Sequence, residues 1–300
     1  MPLARVSLLA LVALLLSACA TTGPRVSSAE VEVFEKILRA RSAGYLIAQR
    51  FRLEAVGARL LRALPDADPG WRVPYLGLVV DEATDSLADA LGVEGRNGVL
   101  VLGVVPGGPA EQGGIEAGDY LERIGPLAVS ASQDLAALEK LELKGPIPVV
   151  VRRGELLVGA LLEPEYLPLN VAFRIAEEDA VNAYSAPGAI TLTTGMLRFL
   201  RSDEELAVVV SHELAHITRG HAITKVGVAI PTMVLGVVAA IVVPGSQRLV
   251  STVVEKVIAN VIRGVLTKVD WDMEREADVF GLLHLHAADY DLRVASALWE

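Results

Sequence analysis

Cysteine is almost missing from this sequence. Cys19 stands alone in 300 residues, so an intramolecular disulfide framework is excluded. Aromatic residues make up only 5%, and positive charge is outweighed: 27 Lys and Arg face 37 Asp and Glu, a formal net charge of -10. No stripe of Lys and Arg reverses that balance locally. Nucleic acid, whose phosphates need a basic face, is therefore excluded as a partner. What fills the chain is small and aliphatic, 52% hydrophobic overall, which suits Ala-, Val- and Leu-rich helices around a filled core. The length allows two modest domains.

The lone cysteine closes a short leader. Arg5 precedes an apolar run from Val6 to Leu16, followed by Leu16-Ser17-Ala18-Cys19. The run is too short to cross a bilayer and has the layout of a secretory signal. Residues 16–19 resemble the lipobox of bacterial lipoproteins. That resemblance implies a signal peptide over 1–18, cleavage before Cys19, lipid on the new N-terminus and firm membrane anchorage. Ala20, where a sorting aspartate would mark the inner membrane, implies an outer-membrane lipoprotein facing the periplasm.

After a tether over 19–28, helical spacing of Val33, Ile37, Leu38, Tyr45, Leu53, Val56, Leu60 and Leu61 predicts a helical segment within 29–70. Pro65 to Gly70 breaks it. Residues 71–165 read as a compact β-rich module. Strands are expected at Val99–Val105 and Ile147–Val151, and short helices at Leu87–Leu91 and Ser132–Leu141. Tyr75-Leu76-Gly77-Leu78, Gly98-Val99-Leu100-Val101, Pro106-Gly107-Gly108-Pro109-Ala110 and Gly118-Asp119-Tyr120-Leu121 resemble an HtrA-type PDZ domain. The resemblance implies that the amides of Tyr75, Leu76, Gly77 and Leu78 receive a peptide C-terminal carboxylate, the peptide adding as an extra strand.

Residues 166–300 turn from strand-like to helical. Val171–Ile175 and Ala189–Thr193 are strand candidates. Ser202 and Glu205 make a capping-box pattern, with Asp203 and Glu204 suited to the positive end of a helix. That helix leads into His212-Glu213-Leu214-Ala215-His216. Histidines four apart share a helix face, so both can reach one metal, and Glu213, about 100° round, can act on a metal-activated water. Gly220 and His221 fall out of register for a third ligand, and His221, five residues after His216, is turned away from its face. A second helix supplies a better one: in Asp272 to Gly281, Glu274, Ala277, Asp278 and Gly281 share a face. There Glu274 can bind zinc, Asp278 can hold a ligand histidine, and Ala277 and Gly281 allow close approach. Arg275 and Glu276 fall on a face expected to be solvated.

His212 to His221, Glu274 to Asp278 and Asn182 to Gly188 resemble the HtpX- and BepA-like gluzincin metallopeptidases. The resemblance implies one Zn2+ held by His212, His216 and Glu274, catalysis by Glu213, and Asp278 supporting a ligand. It also implies a small sheet whose residues Asn182, Ala183, Pro187 and Gly188 border the substrate cleft. Relatives carry a later histidine or arginine facing that cleft. Here the sequence stops at Trp299-Glu300, so that group is missing, or His284 or His286 replaces it, or the chain is shortened.

Val226–Val243 is almost wholly apolar. Since the metal ligands flank it yet must meet on one side, it is read as one arm of a buried hairpin in preference to a membrane-dipping one. The whole reads as α+β: a mainly helical zinc endopeptidase domain with a small sheet, plus a PDZ domain, acting on misfolded envelope proteins. The rival is a non-catalytic, PDZ-led binding protein.

Overall fold

The computed structural model describes residues 26–65, 72–135, 145–221 and 271–299. The leader with Cys19, most of the expected helix at 132–141 and the apolar stretch at 226–243 lie outside them. Among the described residues no helix is long and apolar enough to cross a membrane.

Helix α1, Ser28–Ala63, begins with a full capping box: Ser27 accepts from the Glu30 amide and the Glu30 carboxylate accepts from Ser27 N. It stops where Leu64, restricted by Pro65, turns extended at ψ 139°. Its second half does double duty. Leu53, Val56, Leu60 and Leu61 enter the same core as Phe173, Ile190, Leu206 and Val210. Ile47, Phe51 and Ala58 instead pack against Val79, Leu100, Leu102 and Tyr120 of the β-rich module.

That module starts at β1, Val73–Tyr75, and continues through β2, Leu78–Glu82, and α2, Asp85–Leu91. Then come β3, Val99–Val104, α3, Pro109–Gln112, β4, Tyr120–Ile124, and β5, Leu127–Ala128. It closes with β6, Ile147–Arg153, β7, Leu156–Leu162, and β8, Glu165–Leu167. The main sheet runs β2-β3-β4-β6-β7 with β5 beside β4, and β2 is an edge strand. Strand β3 is apolar throughout because both faces are covered. Val99 and Val101 face the module's own core, while Leu100 and Leu102 face α1 and α2. The Gly118-Asp119 pair is structural: Gly118 takes φ 91°, and the fully buried Asp119 receives Arg153 in a fork at 2.7 and 2.8 Å. Strands β1 and β8 pair antiparallel, Val73 opposite Leu167, so the module leaves and rejoins the rest of the chain through a two-stranded neck.

Beyond the neck come β9, Ala172–Ala176, β10, Ala183–Ala186, and β11, Ala189–Thr193, in the order β10-β11-β9. The helices α4, Thr194–Phe199, α5, Asp203–Thr218, α6, residues 271–287, and α7, Arg293–Trp299, complete the described chain. Strand β10 was not expected from its small, mixed residues. It exists because Pro187-Gly188, with Gly188 at φ 76°, closes a tight turn that folds it back on β11. Helix α1 ties these parts together. Arg52 bonds Asp203 at 2.6 Å beside the start of α5, and Arg59 donates to the Ala288 and Asp289 carbonyls just after α6.

At the junction of α1 and the neck, the Tyr75 hydroxyl donates to Glu54 at 3.3 Å. Burial pushes the Glu54 carboxyl up from 4.5 to about 7, against the pull of Arg50. The folded state thus holds a proton that the unfolded chain releases, so the contribution of Glu54 to stability is full below about pH 4.5 and is lost as pH rises through about 7. Glu54→Gln should flatten that decline and raise stability at about pH 8 by roughly 1–3 kcal/mol. Urea unfolding at about pH 5 and about pH 8 reads it out, and an unchanged slope in the variant would clear Glu54 of the effect.

Candidate metal centre

Helix α5 is secured before the motif begins. Ser202 accepts from Glu205 N, and Glu205 answers through the Ser202 amide. Its apolar face, Leu206, Val210 and Leu214, is buried in the core, which aims His212 and His216 outward on one line. Helix α6 lies against it. Ala277 is fully buried, and a Cβ placed on Gly281 would stand 3.2 Å from both Cα and N of His212. The small pair does bring the two helices close, and with them residues 62 positions apart.

The result is a cluster of acceptors. His212 Nε2 lies 3.2 Å from Glu274 Oε2, His216 Nε2 lies 3.1 Å from His212 Nε2, and His216 Nε2 lies 3.5 Å from Glu274 Oε2. His212 Nδ1 is 3.0 Å from Asp278 Oδ1. A carboxylate only accepts, so His212 carries its proton on Nδ1 and turns a lone pair inward at Nε2. Three inward acceptors at such spacings fit one small cation. Bonds of about 2.0–2.2 Å to a tetrahedral ion put ligand atoms about 3.3 Å apart. Among the described residues this is the His/Cys/Asp/Glu group that could hold a metal. Glu213 is partly buried on the next position of α5. A cavity of about 620 Å3 opens beside His212, Glu274 and Asp278, with apolar walls from Val208, Leu282, Leu285 and Leu292.

Two readings of the sequence need correcting. His221, taken as turned away, is buried with Nδ1 2.9 Å from Nδ1 of His216. A continuing helix would have carried it about 140° away from His216, but α5 ends at Thr218 and Gly220, at φ 68°, returns the chain. Glu276, taken as solvated, bonds His221 Nε2 at 3.2 Å and Arg219 Nε at 2.7 Å, and both hold its carboxyl below the usual range. Viewed from Ala277 on the contact line, Glu274 sits about 60° to one side and Glu276 about 100° to the other, so both reach α5. The H-x4-H spacing was the available signal. Of the two candidates to replace the later cleft-facing group, His284 is buried and hydrogen-bonded to the Ser211 backbone, and His286 is exposed.

The remaining residues fall into two places. Asn182 is locked to Thr193, its carbonyl accepting from the Thr193 amide at 3.0 Å. Ala183 opens the edge strand β10, and Pro187 and Gly188 form its turn. In the module, Tyr75 belongs to β1 and its hydroxyl is engaged by Glu54. The carbonyls of Leu76 and Gly77 accept from Ala110 and Val105 at 2.9 and 2.8 Å. Because trans peptides are planar, the amides of Gly77 and Leu78 point the opposite way. Leu76, Leu78 and Val80 pack with Leu135 on the module's core.

Comparison with known proteins supports a metallopeptidase. Residues 156–299 match the model of Peptidase family M48. The Mitochondrial metalloendopeptidase OMA1 of Arabidopsis thaliana is 35% identical over 131 residues, 42% of this chain and 24% of that protein. A different kind of relative, named Probable periplasmic serine endoprotease DegP-like, from Pseudomonas fluorescens, is 34% identical over 99 residues, 30% of this chain and 21% of its own. The chain spans about a quarter or less of the length of the curated relatives it matches. Among solved structures, the HtrA-type protease AlgW with a decapeptide aligns at 28% identity and TM-score 0.29, over 32% of this chain and 30% of that one. The HtrA3 PDZ domain bound to a phage-derived ligand aligns at 27% identity and TM-score 0.27, over 32% and 88%.

Proposed function

We propose that the chain is a zinc-dependent endopeptidase in which His212, His216 and Glu274 hold the metal. The observation that carries this is the convergence of their three acceptor atoms at tetrahedral spacing, next to Glu213. Zinc held there supplies Lewis acidity, polarising a peptide carbonyl and acidifying a water. Glu213 takes a proton from a water as the water oxygen bonds to the carbonyl carbon, and returns it to the amine nitrogen as the C–N bond breaks. Asp278 keeps His212 in the tautomer the metal needs. The edge strand β10, packed beside α5, offers backbone groups to an extended substrate, and the apolar cavity takes a neighbouring apolar side chain. Cleavage of an unfolded protein by the full chain should stop on chelation and return when zinc is restored. Activity that survives full removal of metal would sink the proposal.

The 71–165 module is proposed to bind C-terminal peptides as PDZ domains do. The outward amides of Gly77 and Leu78 suit the carboxylate, and the edge of β2 suits the strand. A peptide with a free C-terminus should bind roughly tenfold or more tightly than its amide by fluorescence anisotropy; equal binding would count against it. With a lipid on Cys19, the enzyme would work at the outer membrane, on misfolded envelope proteins in the periplasm. If zinc binds but nothing is cut, the non-catalytic, PDZ-led reading takes over, since that groove does not depend on the metal.

A further inference from the structure

The two histidines of the motif are not supported alike. His212 meets Asp278 directly, at 3.0 Å. His216 has a longer support. Its Nδ1 stands 2.9 Å from His221 Nδ1, and the rings meet edge to face with centroids 4.9 Å apart. His221 Nε2 stands 3.2 Å from Glu276 Oε2. Glu276 is itself held by Arg219, whose guanidinium lies 4.3 Å over the Phe280 ring. With His221 neutral, the chain of partners leaves one consistent arrangement of protons. Glu276 can only accept, so His221 carries its proton on Nε2 and presents a lone pair at Nδ1. His216 must then donate from Nδ1, which leaves its lone pair on Nε2, the atom facing His212 and Glu274.

We propose that His221 and Glu276 are positioning residues for His216: a carboxylate–imidazole relay that fixes the ring and its metal-ready tautomer. The inference rests on the proposed role of His216 as a metal ligand. His221 does not bind the metal, because the nitrogen nearest the centre is spent on His216. Burial makes the relay matter. His221 is only 3% exposed, so water cannot readily replace it if it is lost. The relay also explains the bend at Gly220, which brings His221 back beside the helix it has just left. Arg219 and Glu276 join the end of α5 to α6 at the same point, so the relay fastens together the two helices that carry the ligands.

The test is zinc affinity of the full chain, by competition with a chelating dye, with the unfolding midpoint of the metal-free protein recorded beside it. His221→Ala should bind zinc about 10–100-fold more weakly. His221→Asn should recover most of that loss, because its Oδ1 stands where Nδ1 stood and can accept from His216. Glu276→Gln should lose several-fold, and this carries the test if His221→Ala does not fold. In 15N spectra of the imidazoles, His216 should carry its proton on Nδ1 in the parent and a mixture of tautomers in His221→Ala. Parent-like affinity in His221→Ala and Glu276→Gln, or equal loss in the Ala and Asn variants, overturns the relay. A His216→Ala control separates the two levels. If it binds zinc like the parent, or the parent binds none, the ligand reading falls and the relay with it. If only His216→Ala loses zinc, the relay alone falls.

Discussion

Replacing Glu213 by glutamine should lower the rate of peptide cleavage by about 10²–10⁴-fold while the zinc content stays that of the parent. Glutamine keeps the shape and still hydrogen-bonds a water, but it has no basic oxygen to take the proton. Glu213 is not one of the three converging acceptors, so the substitution leaves the ligand set of His212, His216 and Glu274 untouched. Paired measurement of cleavage and bound zinc separates chemistry from binding. A variant that still cuts at the parent's rate would remove Glu213 from the chemistry, and one that loses its zinc would make it part of the metal's support.

Gly281→Val should destabilise the fold by about 2–3 kcal/mol and weaken zinc binding at least about tenfold. Even a bare Cβ at this position would sit 3.2 Å from the backbone N and Cα of His212. Backbone atoms of a packed helix cannot swing aside as a flexible side chain does, and the branched methyls of valine need more room still. Helix α6 must retreat from α5, taking Glu274 and Asp278 with it. Urea unfolding and zinc competition on the same samples measure both effects. A valine variant as stable and as tight for zinc as the parent would mean that the helices do not touch here.

The first expectation comes from a feature written locally, and the second also needs the approach of α6 to α5. The four-residue spacing of His212 and His216 and the capping box at Ser202 and Glu205 are properties of one helix, set by its 3.6-residue period. The shared face of Glu274, Ala277, Asp278 and Gly281 follows from the same period. The long apolar β3 could be recognised as a strand by its residues, but not that α1 would cover one of its faces. Strand β10 escaped notice because Ala183 to Ala186 has neither a run of branched residues nor alternation. Only its pairing with β11 makes it a strand.

The relay through His221 and Glu276 marks the boundary most sharply. Read along the chain, His221 falls off the face of His216, and Glu276 falls away from Glu274. The reversal at Gly220 undoes the first reading, and the packing of α6 on α5 undoes the second. By itself the sequence determined that His212 and His216 share one helix face and that Glu274, Ala277, Asp278 and Gly281 share another, since helical period and residue type are local facts. Tertiary structure alone decided which carboxylate meets which imidazole, and that α1 serves two cores at once. Those depend on how closely elements far apart in the chain approach, which no local period contains.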